Sequence, residues 1–168
     1  MEYKIVYSDR RTVSLNIKGG ELIVRAPRGT KRRYIEKIIK EHTSWIEKHL
    51  ASSVKKAELY SSLGEEEIKV LKKKAREILP KKTAYYASLM NIDYGRITIT
   101  SAKGRFGSCS STGNIAYSYR LMLYPEEAID YVVVHELAHR REMNHSSAFY
   151  KIVASVLPDF KSRKALLK

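Results

Sequence analysis

"VVHELAHRREMNHS", residues 133–146, decides how the chain is read. His135 and His139 are four residues apart. On an α-helix that spacing puts one residue a turn above the other on the same face, so both imidazoles can turn toward one point. Glu136 directly follows the first histidine, the placement from which a carboxylate reaches a water on a metal rather than the metal itself. Chance would put H-E-x-x-H into a chain of this length on the order of a few times in a thousand. Catalytic zinc commonly takes three protein ligands and keeps a fourth position for water. With His145 close behind, one zinc ion per chain is expected on His135, His139 and His145, with Glu136 as general base. A continuous helix would carry His145 away from the pair, because six residues add about 600° of rotation and about 9 Å of rise. The helix is therefore expected to end between the last two histidines. Asn144 is expected to make the bend in a left-handed conformation, and Ser146 to cap a new helix. A helix end that merely carries satisfied histidines explains neither the third histidine nor Glu136.

Working outward, Pro125-Glu126-Glu127 reads as the start of the motif helix, since proline suits the first helical position and acids suit the first turn. Before it, "GRITIT" (95–100) and "NIAYSYRLML" (114–123) read as strands joined by the Gly- and Ser-rich loop 101–113, which holds Cys109. "NIAYSYRL" is expected to be an edge strand that takes an extended peptide by β-augmentation, with Tyr117, Tyr119 and Arg120 as candidate substrate or oxyanion contacts. Residues 65–79 read as a charged helix with an acidic first turn, which Pro80 breaks or kinks before 81–90 resume helical spacing. The polar stretch 51–64 holds the expected domain boundary. The runs "YKIVY", "TVSLNI" and "ELIVRA", with "KGG" (18–20) as a hairpin turn, predict a small antiparallel sheet. One helix is expected from about Thr30 to about Leu50, leaving His42 and His49 as solvated helix residues. "SSAFYKIVASVL" reads as a helix ended by Pro158, and "KSRKALLK" as a short last one. The fold class is α+β: a sheet-plus-helix subdomain over 1–60, then a region over 61–168 built from a β-hairpin or small sheet and the H-E-x-x-H helix.

Thirty-two Lys and Arg stand against eighteen Asp and Glu in 168 residues, a net charge of +14. Such a balance predicts weak, nonspecific attraction to nucleic acid but says little about fold or reaction. No apolar run approaches a membrane span and the first residues lack the apolar core of a secretory signal, so a cytoplasmic protein is expected. A single cysteine leaves no intrachain disulfide and fits a reducing compartment.

The histidine spacing equals that of the metzincin signature H-E-x-x-H-x-x-G-x-x-H, but Glu142 stands where its glycine belongs. The chain instead resembles the YgjP-like metallopeptidases, which are related to the SprT-like proteases. The resemblance rests on "RFGSCSSTGNIAYSYRL" followed by "IDYVVVHELAHRREMNHSSAFY", and "RRTVSLNIKGGELIVRAP" with "WIEKHL" extends it over nearly the whole chain. It implies a zincin-like catalytic region with the three histidines as ligands and Glu136 as base. Phe106 and Tyr119 stand where that family usually has tryptophan; both keep an aromatic ring but not an indole N–H. The reading that follows is a zinc-dependent peptidase acting on peptides or proteins. Its rival is a basic nucleic-acid-binding protein with a structural zinc, or a protease recruited to DNA. Against the rival, structural zinc usually closes with four protein ligands and favours cysteine.

Overall fold

The structure is a computed structural model and describes residues 2–167. The chain divides into two compact units between Leu63 and Gly64.

The first unit holds β1 (Tyr3–Ser8), β2 (Ser14–Lys18), β3 (Glu21–Pro27), α1 (Arg32–Glu41) and α2 (Thr43–Ser61). β2 and β3 form the expected hairpin: Lys18 pairs with Glu21 across Gly19 and Gly20, whose φ of 61° and 83° suit a two-residue turn that side chains rarely tolerate. The sheet is mixed rather than antiparallel, in the order β1-β3-β2, with β1 parallel to β3. Leu22, Val24 and Ala26 of β3, buried completely, meet Ile35 of α1 and Ile46 of α2 in its core. The single helix expected over 30–50 is two helices. His42 Nδ1 lies 2.9 Å from the Ile38 carbonyl, and the Thr43 hydroxyl donates to the carbonyls of Ile39 and Lys40. These side chains compete for the backbone acceptors and end α1 without proline or glycine. The polar stretch read as a boundary stays helical up to Ser61.

The second unit holds α3 (Glu65–Met90), β4 (Ile97–Thr100), β5 (Gly107–Cys109), β6 (Ile115–Ser118), a 3-10 helix (Tyr119–Leu123), α4 (Glu126–Ala138), α5 (Ser147–Val156) and α6 (Phe160–Ala165). Pro80 does not break α3, although it removes an N–H from the helix ladder. Ala75 and Leu79 before it, and Thr83, Tyr86, Ala87 and Met90 after it, are buried, so both halves are held on one core. α3 ends at Asn91 in the left-handed conformation, φ 50°, the one non-glycine with positive φ among the described residues. Asn144, assigned that role from the sequence, does not adopt it.

The strands also differ from expectation. A third short strand, β5, lies within the stretch read as a loop, so Cys109 is on a strand. β4 pairs in parallel with β6, β5 pairs antiparallel with β6, and β6 is central. Residues 114–121 therefore cannot serve as the edge strand proposed for peptide pairing; β6 is flanked on both sides, and after Ser118 the chain turns into the 3-10 helix. The last helix matches the short one expected, although Lys168 lies outside the described residues.

α4 is the centre of this unit. Ten of its thirteen residues are buried, and from Ala128 to Ala138 every residue but His135 is among them. A helix apolar on all sides belongs inside a domain. Its start is fixed by charge: Lys82 of α3 donates to Glu126 at 2.5 Å and to Asp130 at 2.6 Å, and Arg163 of α6 stands 3.6 Å from the other Asp130 oxygen. Among the described residues no helix is long and apolar enough to cross a membrane.

The Asn91 cap gives a direct check. Asn91→Ala should destabilise the protein by about 1 kcal/mol, because a β-carbon without asparagine's local hydrogen bonding makes the left-handed region costly, whereas Asn91→Gly should be neutral or stabilising. Thermal denaturation of the two variants measures the difference.

Candidate metal centre

The sequence makes a helix that stops at the right place. α4 ends at Ala138, His139 follows as its C-cap with φ −62° and ψ −17°, and the chain turns through 140–145. Ser146 then caps α5 as expected, its hydroxyl accepting from the Phe149 N–H at 3.3 Å. The turn is latched by two arginines that the sequence reading passed over. Arg140 donates to the carbonyls of Asp93 and Ser111, and Arg141 to those of Met90 and Asn91.

This turn brings His145 back to the pair. One nitrogen from each of His135, His139 and His145 lies within 4.8 Å of the others. His145 Nε2 and His135 Nε2 are 3.0 Å apart. Outer partners occupy the nitrogens that face away: His135 Nδ1 is 3.3 Å from the Tyr131 hydroxyl, and His139 Nδ1 is 3.2 Å from the Glu142 carbonyl, to which it donates. Such outer hydrogen bonds orient metal-binding imidazoles and set the tautomer. Burial, reinforced by His139, His145 and Lys164, holds His135 down to about 3, and burial also lowers His139. Both imidazoles are neutral near pH 7, the state in which a lone pair can be donated. Three imidazole nitrogens gathered this closely can turn their lone pairs toward one cation. The residues present therefore fit a divalent metal, and three imidazoles suit zinc.

Phe149 forms the floor. Its ring, fully buried on α5, lies 4.6–4.9 Å from the ring centres of all three histidines. Its sequence signal was only an apolar position three residues past a helix cap, which any core phenylalanine would share.

Glu136 is 5% exposed on the inner side of α4. Desolvation pushes its carboxyl up to about 7, and the nearby charge of Arg105 works against that shift. Cys109, half-buried, has its thiol pushed up by burial and then by the Glu136 carboxylate, with Arg140 acting in the opposite direction. The three other residues singled out from the sequence are not gathered at the histidines as exposed groups. Tyr117 is fully buried, its hydroxyl 3.1 Å from that of Thr83. Tyr119 and Arg120 are buried on the 3-10 helix, where Arg120 stacks over the Tyr119 ring at 4.5 Å and donates to the Ser101 carbonyl at 2.6 Å. In this conformation all three are packing groups.

A family model described as "YgjP-like, metallopeptidase domain" matches residues 11–68 and 52–168. The chain belongs to the YgjP-like metallopeptidase family. No curated protein matches it. Among solved structures, the metallopeptidase zymogen of Pyrococcus abyssi abylysin is 22% identical at a TM-score of 0.48, covering 52% of this chain and 90% of its own. The metallopeptidase zymogen of Methanocaldococcus jannaschii jannalysin is 19% identical at a TM-score of 0.46, again covering 52% of this chain and 90% of its own. For this YgjP-like chain, family membership implies a metal, and the three histidines are where the structure could hold one.

Phe149 offers the test of this arrangement. Phe149→Ala should cost about 3–5 kcal/mol of stability, typical of emptying a buried aromatic site, and should also weaken metal binding by loosening the histidine rings. Denaturant unfolding and metal titration of the variant check the two effects separately.

Proposed function

We propose that the chain is a zinc-dependent peptidase whose catalytic region spans residues 61–168 and holds one zinc ion on His135, His139 and His145. The observation that carries this reading is the convergence of three imidazoles, with the buried Glu136 carboxylate next to the first of them in the chain. His139 has Nε2 free for the ion because Nδ1 is committed to Glu142, and His135 and His145 present Nε2. Bound zinc supplies a Lewis acid that polarises a carbonyl oxygen and makes water acidic near neutrality. Glu136 then takes the proton of the attacking water on a carboxylate oxygen and passes it to the nitrogen of the leaving amine. A carboxyl poised near neutrality by burial suits both halves of that transfer, and a neighbouring cation favours the ionised form it must start from. The peptide or protein substrate would lie along β5, an edge strand, rather than β6. The cytoplasmic setting expected from the sequence belongs to this same proposal.

A second, compatible reading comes from the first unit. A cleft of about 570 Å³ there is lined by Arg11, Thr12, Lys31, Tyr34 and Ile38 among others, and no acid lines it. Together with the +14 charge this supports weak, nonspecific binding of nucleic acid. Affinity for a labelled oligonucleotide should fall steeply from low to moderate salt and fall further in an Arg11→Ala/Lys31→Ala variant. Tight binding that persists at high salt would contradict it.

For the peptidase, His139→Ala should lose most of the zinc, read by elemental analysis, with the fold retained. Glu136→Gln keeps the shape of the side chain but cannot take the proton. It should hold zinc normally and lose roughly 10²–10⁴-fold in hydrolysis of a peptide library. Wild-type turnover in that variant would remove Glu136 from the role of base.

A further inference from the structure

The Glu136 carboxylate is buried, yet among the described residues no hydrogen bond or ion pair within contact distance holds it; burial and the more distant charge of Arg105 are what act on it. Its place must be set by packing, and the packing partner on one side is a backbone without a side chain. A β-carbon added at Gly107 would stand 2.5 Å from Glu136 Oε1, 2.7 Å from Cγ and 2.8 Å from Cδ. Those distances lie well inside ordinary van der Waals contact. The φ of Gly107 is not in the left-handed region, so the backbone there suits any residue, and what a side chain would meet is the Glu136 side chain, which would have to shift. β5 is an edge strand paired only with β6, Gly107 opposite Tyr117, so its backbone is fixed from the sheet side while Glu136, carried by α4, meets it at Gly107.

We propose that Gly107 is a positioning residue for Glu136: by lacking a side chain it lets the β5 backbone act as a wall that sets where the carboxylate sits. The inference rests on the reading of Glu136 as the base. A methyl group at 107 would displace the carboxylate first, since the three atoms nearest to it all belong to Glu136 and none to a histidine. Proton transfer depends on the carboxylate standing within hydrogen-bond reach of the water, so a small displacement acts on turnover more than on binding.

The test is a double-mutant cycle in the full chain, comparing Gly107→Ala in the wild-type and Glu136→Ala backgrounds. In the wild type, Gly107→Ala should lower kcat by at least about tenfold, toward the roughly 10²–10⁴-fold of general-base loss, with KM within about threefold and zinc content unchanged. In Glu136→Ala, where the obstructing carboxylate is gone, it should change the residual rate by less than about twofold. Melting temperature of the metal-free proteins gives a readout that needs no activity. Gly107→Ala should lower it by about 2 °C or more in the wild type and by less than about 1 °C in Glu136→Ala. Equal losses in both backgrounds, or no loss in either, would overturn the proposal. If the wild type hydrolyses no peptide while the melting temperatures still couple, the contact stands and the reading of Glu136 as base falls.

Discussion

A helix buried on every side must satisfy its own backbone and can open to solvent only where a side chain breaks the apolar cover. In α4 that opening is His135, the one residue between Ala128 and Ala138 that is not buried. The position of the candidate centre follows from this. α3, α5, α6 and β5 close round the helix, and the chain leaves its axis after Ala138. It turns instead, pinned by Arg140 and Arg141 to carbonyls at the end of α3 and in the β5–β6 turn, and delivers His145 onto the Phe149 floor beside its two partners.

The same burial makes the charges on α4 informative. Asp130 and Glu136 are two inner carboxylates on one helix with opposite settings. Asp130 is matched by Lys82 and Arg163, an arrangement that offsets desolvation and fastens three helices. Glu136 has no such match, and desolvation raises its proton affinity toward neutrality. A buried carboxyl left so is a cost to folding unless it has other work, and the work proposed for it lies at the imidazole of His135, its neighbour in the chain. On the proposed reading, a cation held by those nitrogens favours the ionised Glu136.

The histidine constellation was legible because it is local: helix periodicity places His135 and His139, and only the length of the intervening turn had to be inferred for His145. Helix starts and caps were legible for the same reason, as at Ser146 and at the acidic first turn of α3. What failed were inferences in which a local rule was overridden. Pro80 should end a helix, but buried residues on both sides hold α3 together. Asn144 could take a left-handed bend, yet the bend is made by the arginine latches and Asn91 takes that conformation instead. His42 ends a helix through side-chain bonds that no periodicity announces.

The sequence alone determined the α+β class, the β2–β3 hairpin, the helix that carries the motif and the three histidines with Glu136, because each rests on residues within a few positions of one another. Only the tertiary structure decided which strand is central, and so moved the free edges from β6 to β4 and β5 and showed Tyr117, Tyr119 and Arg120 to be buried. It alone put Phe149 beneath the histidines and Gly107 against Glu136. Strand order and close backbone approach depend on pairings between segments distant in the chain, and a glycine or a phenylalanine reads the same in sequence whatever it meets there.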